Sequence, residues 1–177
     1  MESWIRTKAA FLNVDSVTGK RYVDPSGNVA AVPVQAQDGR HVSNAEALAT
    51  AAAAALEAGT DYSGTLETAT DTAAWLDKLI DYGAQDLAYP AAPGEKWIDI
   101  DLSKATTTAY EGSSVVHGPV PMVPGSPDHP TVTGTYAVYL KYAAQDMGCT
   151  PGWPYCARGV PWVSYWHESY ALHGAPW

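Results

Sequence analysis

The chain has two cysteines, Cys149 and Cys156, at the two ends of the stretch CTPGWPYC. Thiols placed in this way could form a disulfide, bind a metal or act as a nucleophile. The Pro, Gly and aromatic residues between them do not favour a helix, so a loop-closing disulfide is the favoured interpretation, which implies an oxidising compartment. Zinc is disfavoured, because zinc-binding cysteine pairs are usually spaced more tightly and no second ligand pair follows. We therefore expect no metal site.

The last of the five histidines stands in ALHGAPW, residues 171–177. His173 is followed by Gly174, which permits unusual backbone angles, and then by a proline that fixes φ. Such a cluster of residues is typical of a binding or catalytic site. Three other histidines have no evident catalytic partner and are expected to be surface or strand residues, although the third could lie at the rim of a pocket: His117, His129 and His167.

Two carboxylates alternate with apolar residues in IDIDL, residues 98–102. In a strand, Asp99 and Asp101 would share one face, where they could form a metal site or an acid pair. A solvated strand face explains them equally well, and it is the favoured interpretation.

The first half of the chain carries the signals of a small α+β unit. Val-rich runs separated by DPSG and by Asp38-Gly39 predict an antiparallel hairpin or meander. The stretch SNAEALATAAAAALEAG predicts a helix, because Ser43 and Glu46 have capping-box spacing and Gly59 stands where a left-handed cap would fall. A further strand is predicted in YSGTLETAT, and a short helix in DTAAWLDKLIDYG.

The second half has a different sequence pattern, with alternating strand signals and no helical periodicity. The proline- and glycine-containing stretch LAYPAAPGEKW predicts a linker. After it, IDIDL, TTTAYEGSSVV and TGTYAVYLKY predict an antiparallel β unit without helices. Four of the tryptophans follow, and they form either core, which is favoured, or a wall for a sugar or peptide ligand: Trp153, Trp162, Trp166 and Trp177.

The bulk composition narrows the possible functions. With 177 residues, of which 46% are hydrophobic and 16% charged, the chain can form one ordinary domain or two small ones. A net charge of -9 disfavours nucleic acid and anionic membrane surfaces as partners. No stretch approaches the roughly 18 apolar residues of a membrane span, and the first residues lack the features of an export signal.

Three stretches resemble, in order, the L,D-transpeptidase catalytic domain, also called the YkuD domain: KWIDIDLSKATTTAYEGSSVVHGPVPM, HPTVTGTYAVYLKY and VPWVSYWHESYALHGAPW. Residues 22–56 resemble the peptidoglycan-binding domain that precedes it in some actinobacterial members. The resemblance implies an α+β unit, the end of that binding domain, at 1–89, and a linker at 90–95. It also implies a mainly β, sandwich-like and incomplete catalytic domain at 96–177.

The activity implied by this resemblance is cell-wall cross-linking. A cysteine thiolate attacks the bond between diaminopimelate and the terminal D-Ala of a peptidoglycan stem peptide, and the acyl group passes to an amine of another stem. The implied partners are these stem peptides and, for the intact enzyme, carbapenem β-lactams. An extracytoplasmic, cell-wall location is implied, and no cofactor.

In the family, a Ser-His-Gly-Cys motif that supplies the base, an oxyanion donor and the nucleophile follows the His-Gly-Ala-Pro-Trp segment. The sequence stops at Trp177, so we expect a fragment without catalytic residues and without activity of its own. Neither Cys149 nor Cys156 has the Ser-His-Gly flank, and neither is expected to be the nucleophile. The alternatives are a non-catalytic peptidoglycan-binding module and a folded relic without a ligand.

The resemblance also assigns substrate-binding residues. His173 and Gly174 match the wall of the acyl-donor pocket, and Trp177 matches its edge. Met147 falls where members carry a methionine on a flap over this pocket, and Tyr155 lies near a flap tyrosine. The alternatives are that His173 is a hydrogen-bonded histidine at a strand end and that Met147 fills a gap in the packing.

Overall fold

A computed structural model describes residues 2–152 and 156–175 of the chain. Its contacts divide the chain between Met122 and Val123 into two compact units. Two helices lie near the N-terminus, and the remainder is mostly strands in open sheets, which confirms the predicted fold class. Within the described residues, no helix is both long and apolar enough to cross a membrane.

Helix α1, Glu2–Leu12, has no counterpart among the sequence predictions. It packs against the second helix, α2, Ala45–Glu57. The guanidinium of Arg6 joins the two helices, with its Nε 2.8 Å from Glu46 Oε1 and its Nη2 2.9 Å from Oε2. This bidentate geometry orients α1 on α2, and because both side chains are exposed the pair contributes little to stability.

Helix α2 confirms the predicted Ala-rich helix, but the predicted capping box between Ser43 and Glu46 is wrong. Glu46 is engaged by α1, and Ser43 Oγ donates to the carbonyl of Glu67 instead. The N-cap residue is Asn44, whose side chain bonds the backbone of Thr65 and Glu67 rather than that of the helix. The first turn of α2 is therefore tied to the segment that precedes the fourth strand.

The predicted hairpin is present as β1, Gly19–Val23, and β2, Val29–Val34, which pair antiparallel. The carboxylate of Asp24 closes the turn, because its Oδ1 accepts hydrogen bonds from the backbone N–H groups of Ser26 and Asn28. This contact lowers the pKa of Asp24. Asp-Pro-Ser-Gly was thus a reliable turn signal.

The next two strands pair with each other and not with the hairpin. They are β3, Gly39–Val42, and β4, Thr68–Asp71, in an antiparallel pair. Only the last three residues of the predicted strand in YSGTLETAT, 68–70, belong to β4, and residues 60–67 have no strand structure.

The predicted helix in DTAAWLDKLIDYG is wrong, since Trp75–Leu79 form strand β5, which pairs parallel with β1. The sheet order is β2-β1-β5. Arg21 of β1 lies over the ring of Trp75, 4.8 Å from its centroid, and forms a bidentate pair with Asp77. These contacts join residues far apart in the sequence, and they outweigh the local helical pattern.

Strands β6, Lys96–Asp101, β7, Thr106–Glu111, and β8, Ser114–Pro121, form an antiparallel sheet in this order. The predicted strand in IDIDL and the strand-turn-strand in TTTAYEGSSVV are confirmed. Trp97 stacks on Tyr110 with 4.2 Å between ring centroids, and its Nε1 donates to the carbonyl of Gly112.

In the second unit, β9, Leu140–Met147, β10, Ala157–His167, and β11, Tyr170–Leu172, form an antiparallel sheet with β10 at its centre. Strand β9 begins within TGTYAVYLKY, and residues 134–139 are not part of a strand. From residue 96 onwards, the described residues contain no helix, as predicted.

The segment between β5 and β6 packs into the first unit and is hydrogen-bonded to it. Ile80, Ala84 and Ala91 in it are fully buried. Asp81 Oδ2 accepts hydrogen bonds from the backbone N–H of Ser113, at 2.8 Å, and from its hydroxyl, at 3.1 Å. The predicted linker at 90–95 therefore lies inside the first unit, and the domain boundary drawn there stays a prediction.

We predict that Gly112→Ala destabilises the first unit more than Gly94→Ala. Both glycines have positive φ, 58° and 73°, so both substitutions carry the backbone strain of a side chain in this region. A Cβ at Gly112 would in addition overlap Asp81 Oδ2, whereas a Cβ at Gly94 would meet nothing within 4 Å. The difference in free energy of unfolding should be about 1–3 kcal/mol. Urea unfolding of both variants measures it, and equal losses would contradict the role of this contact.

The contribution of Asp81 should depend on pH. The backbone N–H of Ser113 is the largest cause that lowers the pKa of Asp81 below its ordinary value of 3.8, followed by that of Tyr82. The ionised carboxylate therefore stabilises the fold above that value, and this contribution is lost as pH falls through the folded-state pKa. Asp81→Asn should lower Tm at pH 7 and have a smaller effect near pH 3. Thermal unfolding with the exposed Asp61→Asn as control tests this, and a pH-independent difference would contradict it.

Candidate functional site around the His-Gly segment

His173 follows β11 directly, and its imidazole is exposed. Its Nδ1 lies 3.0 Å from the backbone carbonyl of Gly174. This position at a strand end is compatible with both sequence interpretations, a pocket-lining residue and a hydrogen-bonded histidine at a strand end. The pocket role of His173 stays a prediction.

Gly174 lies against the central strand. Its backbone N–H donates to the carbonyl of Pro161 at 2.9 Å. A Cβ at Gly174 would lie 2.9 Å from Pro161 Cγ, closer than real Cβ atoms come to their neighbours. A side chain at this position would press against the ring of Pro161, so the position favours glycine independently of any ligand.

Strand β10 bulges beside this contact. Ser164 pairs with Leu172, and the next link between the two segments is the bond from Gly174 to Pro161. Two residues of β10, 162 and 163, therefore lie opposite one residue, 173, which is the definition of a β-bulge. Proline has no N–H to donate to a ladder, and in central strands it is found at bulges.

The first residue of this bulge is Trp162, with φ of 55°. In bulges of this kind the position is ordinarily occupied by glycine, because a left-handed backbone costs other residues about 1–2 kcal/mol. The side chain of Trp162 is 75% exposed, whereas Val160 and Val163 on either side are fully buried. The bulge thus places an exposed indole opposite His173.

Trp162 is one of the four tryptophans for which the sequence favours a core position. Its exposure contradicts that interpretation for this residue. The signal that could have revealed it is the proline of VPWVSYW, which interrupts an alternating strand pattern and so indicates a bulge.

A second aromatic group lies at the far end of β10. Tyr136, His167 and Tyr170 surround Trp166, with ring centroids 4.9, 6.2 and 5.7 Å from its own. Trp166 Nε1 is buried and has no acceptor among the described residues. Trp166, His167 and Tyr170 are half-buried, and Tyr136 is 40% exposed. The rings therefore pack on one another, and part of their surface is accessible to solvent.

The two cysteines form a disulfide in the structure, with 4.3 Å between their Cα atoms. It closes the connection between β9 and β10. Met147, the last residue of β9, is half-buried. Asp146 Oδ1 accepts a hydrogen bond from the backbone N–H of Gly159 at 2.8 Å, which braces the same hairpin. The flap role predicted for Met147 stays a prediction.

Two predicted site residues, Tyr155 and Trp177, lie outside the described residues. Within the described part of the chain, both thiols are in the disulfide and no cysteine is free. Over the same residues, no three His, Cys, Asp or Glu side chains come together in a way that could hold a metal ion.

A histidine-carboxylate pair that the sequence analysis missed lies in the first unit. His41 Nδ1 is 2.7 Å from Asp71 Oδ1, and both side chains are largely exposed. His41 lies within β3, where it pairs with Ala69, and Asp71 is the last residue of β4, two residues further along that strand. Neither cysteine belongs to this unit, so the pair has no thiol there to activate.

The carboxylates with clearly lowered pKa values also belong to the first unit, and each has a structural partner. Lys104 lowers the pKa of Asp101 most, helped by Ser103 in the same turn. Arg21 lowers the pKa of Asp77, and Arg6 that of Glu46. Asp101 therefore closes a turn with Ser103 and Lys104. Asp99 and Asp101 are both half-buried, whereas Ile98 is exposed, so the solvated strand face favoured by the sequence is not observed.

Comparison with known proteins gives two similarities. Residues 95–177 match the family model described as the L,D-transpeptidase catalytic domain, YkuD. A crystal structure of an Enterococcus faecium L,D-transpeptidase, a cysteine-to-serine mutant, is similar over 99% of this chain and 64% of its own length, with 18% identity and a TM-score of 0.42. No curated protein sequence matches.

This chain therefore spans less than two thirds of the length of the L,D-transpeptidase to which it was compared. The family match begins one residue before β6 and contains the IDIDL strand, the TGTYAVYLKY stretch and the ALHGAPW segment. Residues 95–177, nearly half of the chain, are similar to the L,D-transpeptidase catalytic-domain family.

Proposed function

We propose that this chain serves peptidoglycan cross-linking by L,D-transpeptidation, and that it supplies part of the acyl-donor pocket. The observation that carries the proposal is the family match over residues 95–177. In this reaction a cysteine thiolate attacks a peptide carbonyl of a stem peptide, D-Ala leaves with its amine, and a second stem's amine releases the acyl group from sulfur. The location that follows is extracytoplasmic, at the cell wall.

The 177-residue polypeptide does not itself supply the attacking thiolate. Its sequence contains no Ser-His-Gly-Cys motif. The two thiols that it does contain are joined to each other. A disulfide sulfur is not a thiolate and does not attack a carbonyl, so in this proposal neither Cys149 nor Cys156 is the nucleophile.

The residues proposed to line the donor pocket are those that match the family's motif. His173 and Gly174 form its wall, and Trp177 its edge. Met147 and Tyr155 belong to a flap that is held at its base by the disulfide. Support comes from the exposure of His173 and from the closeness of Gly174 to the central strand.

The upstream half is proposed to hold the polypeptide on its substrate. Residues 1–89 are the end of a peptidoglycan-binding domain, 90–95 the connection, and 96–177 the first part of the catalytic domain. Support comes from the hairpin and the Ala-rich helix, which are the elements that this resemblance requires. The intact enzyme would bind carbapenems at the same pocket as the stem peptide.

The first test is covalent labelling. We expect no increase in intact mass after incubation of the 177-residue polypeptide with a carbapenem, and no hydrolysis of nitrocefin, because no activated thiolate is present. Mass spectrometry and absorbance measure these two outcomes. As a control, reduction followed by iodoacetamide should add two alkyl groups. A carbapenem adduct on Cys149 or Cys156 would contradict the proposal that neither cysteine is the nucleophile.

A second candidate function, a non-catalytic peptidoglycan-binding module, is favoured by the exposed aromatic side chains of the second unit. Tyr139, Tyr142 and Trp162 are 59%, 42% and 75% exposed. Aromatic rings of this kind form binding walls for sugars and peptides.

This candidate predicts that the polypeptide sediments with insoluble peptidoglycan at low salt. The measurement is the fraction left in the supernatant, compared with a sample without peptidoglycan. A far-UV spectrum of the soluble protein must first show folded strands, because an aggregate would sediment by itself. If all of the protein stays in the supernatant, the peptidoglycan-binding function is contradicted.

A further inference from the structure

We draw no further inference here: the strongest candidate, the apolar face of the β6–β7–β8 sheet that carries Ile100 and the 46% exposed Ile98, carries no proposal because nothing in the structure shows what covers it.

Discussion

Backbone hydrogen bonds between neighbouring strands carry most of the order in this molecule, because few side chains are fully buried. Among the described residues the buried apolar side chains are five alanines and three larger ones: Ile80, Val160 and Val163. Alanines bury little area each, so they contribute little of the hydrophobic free energy. Polar contacts between distant segments, such as Asp81 with Ser113 and Arg6 with Glu46, then help to orient the strands and helices that they join.

This constraint decides what could be predicted from the sequence. Turn chemistry and alternation are local, so the β1–β2 hairpin and the β6–β8 sheet were predictable, and the Ala-rich helix α2 was predictable from composition. Strand β5 was not, because its pattern is helical and its strand state depends on parallel pairing with β1. Helix α1 was missed for a similar reason, since it is ordered by packing against α2 and β3, which are distant in the sequence.

The residues of the candidate site also fall into those that the sequence predicts and those that it does not. The two cysteines and the His-Gly pair could be found from residue types and motif resemblance alone. Trp162 could not, because its importance depends on a backbone angle and on exposure, which residue type does not determine. The proline before it was a visible but indirect signal, because its meaning depends on whether the strand is central or at an edge.

The His173–Gly174 pair and the strained backbone of Trp162 depend on the same hydrogen bond between neighbouring segments. Position 174 favours glycine because a Cβ there would press against the ring of Pro161. The hydrogen bond from Gly174 to the Pro161 carbonyl fixes the register in which 162 and 163 both lie opposite 173. The His-Gly segment therefore does more than provide a histidine beside a pocket. It holds the central strand in the bulged form, and the bulge in turn determines which aromatic side chain that strand exposes next to the histidine.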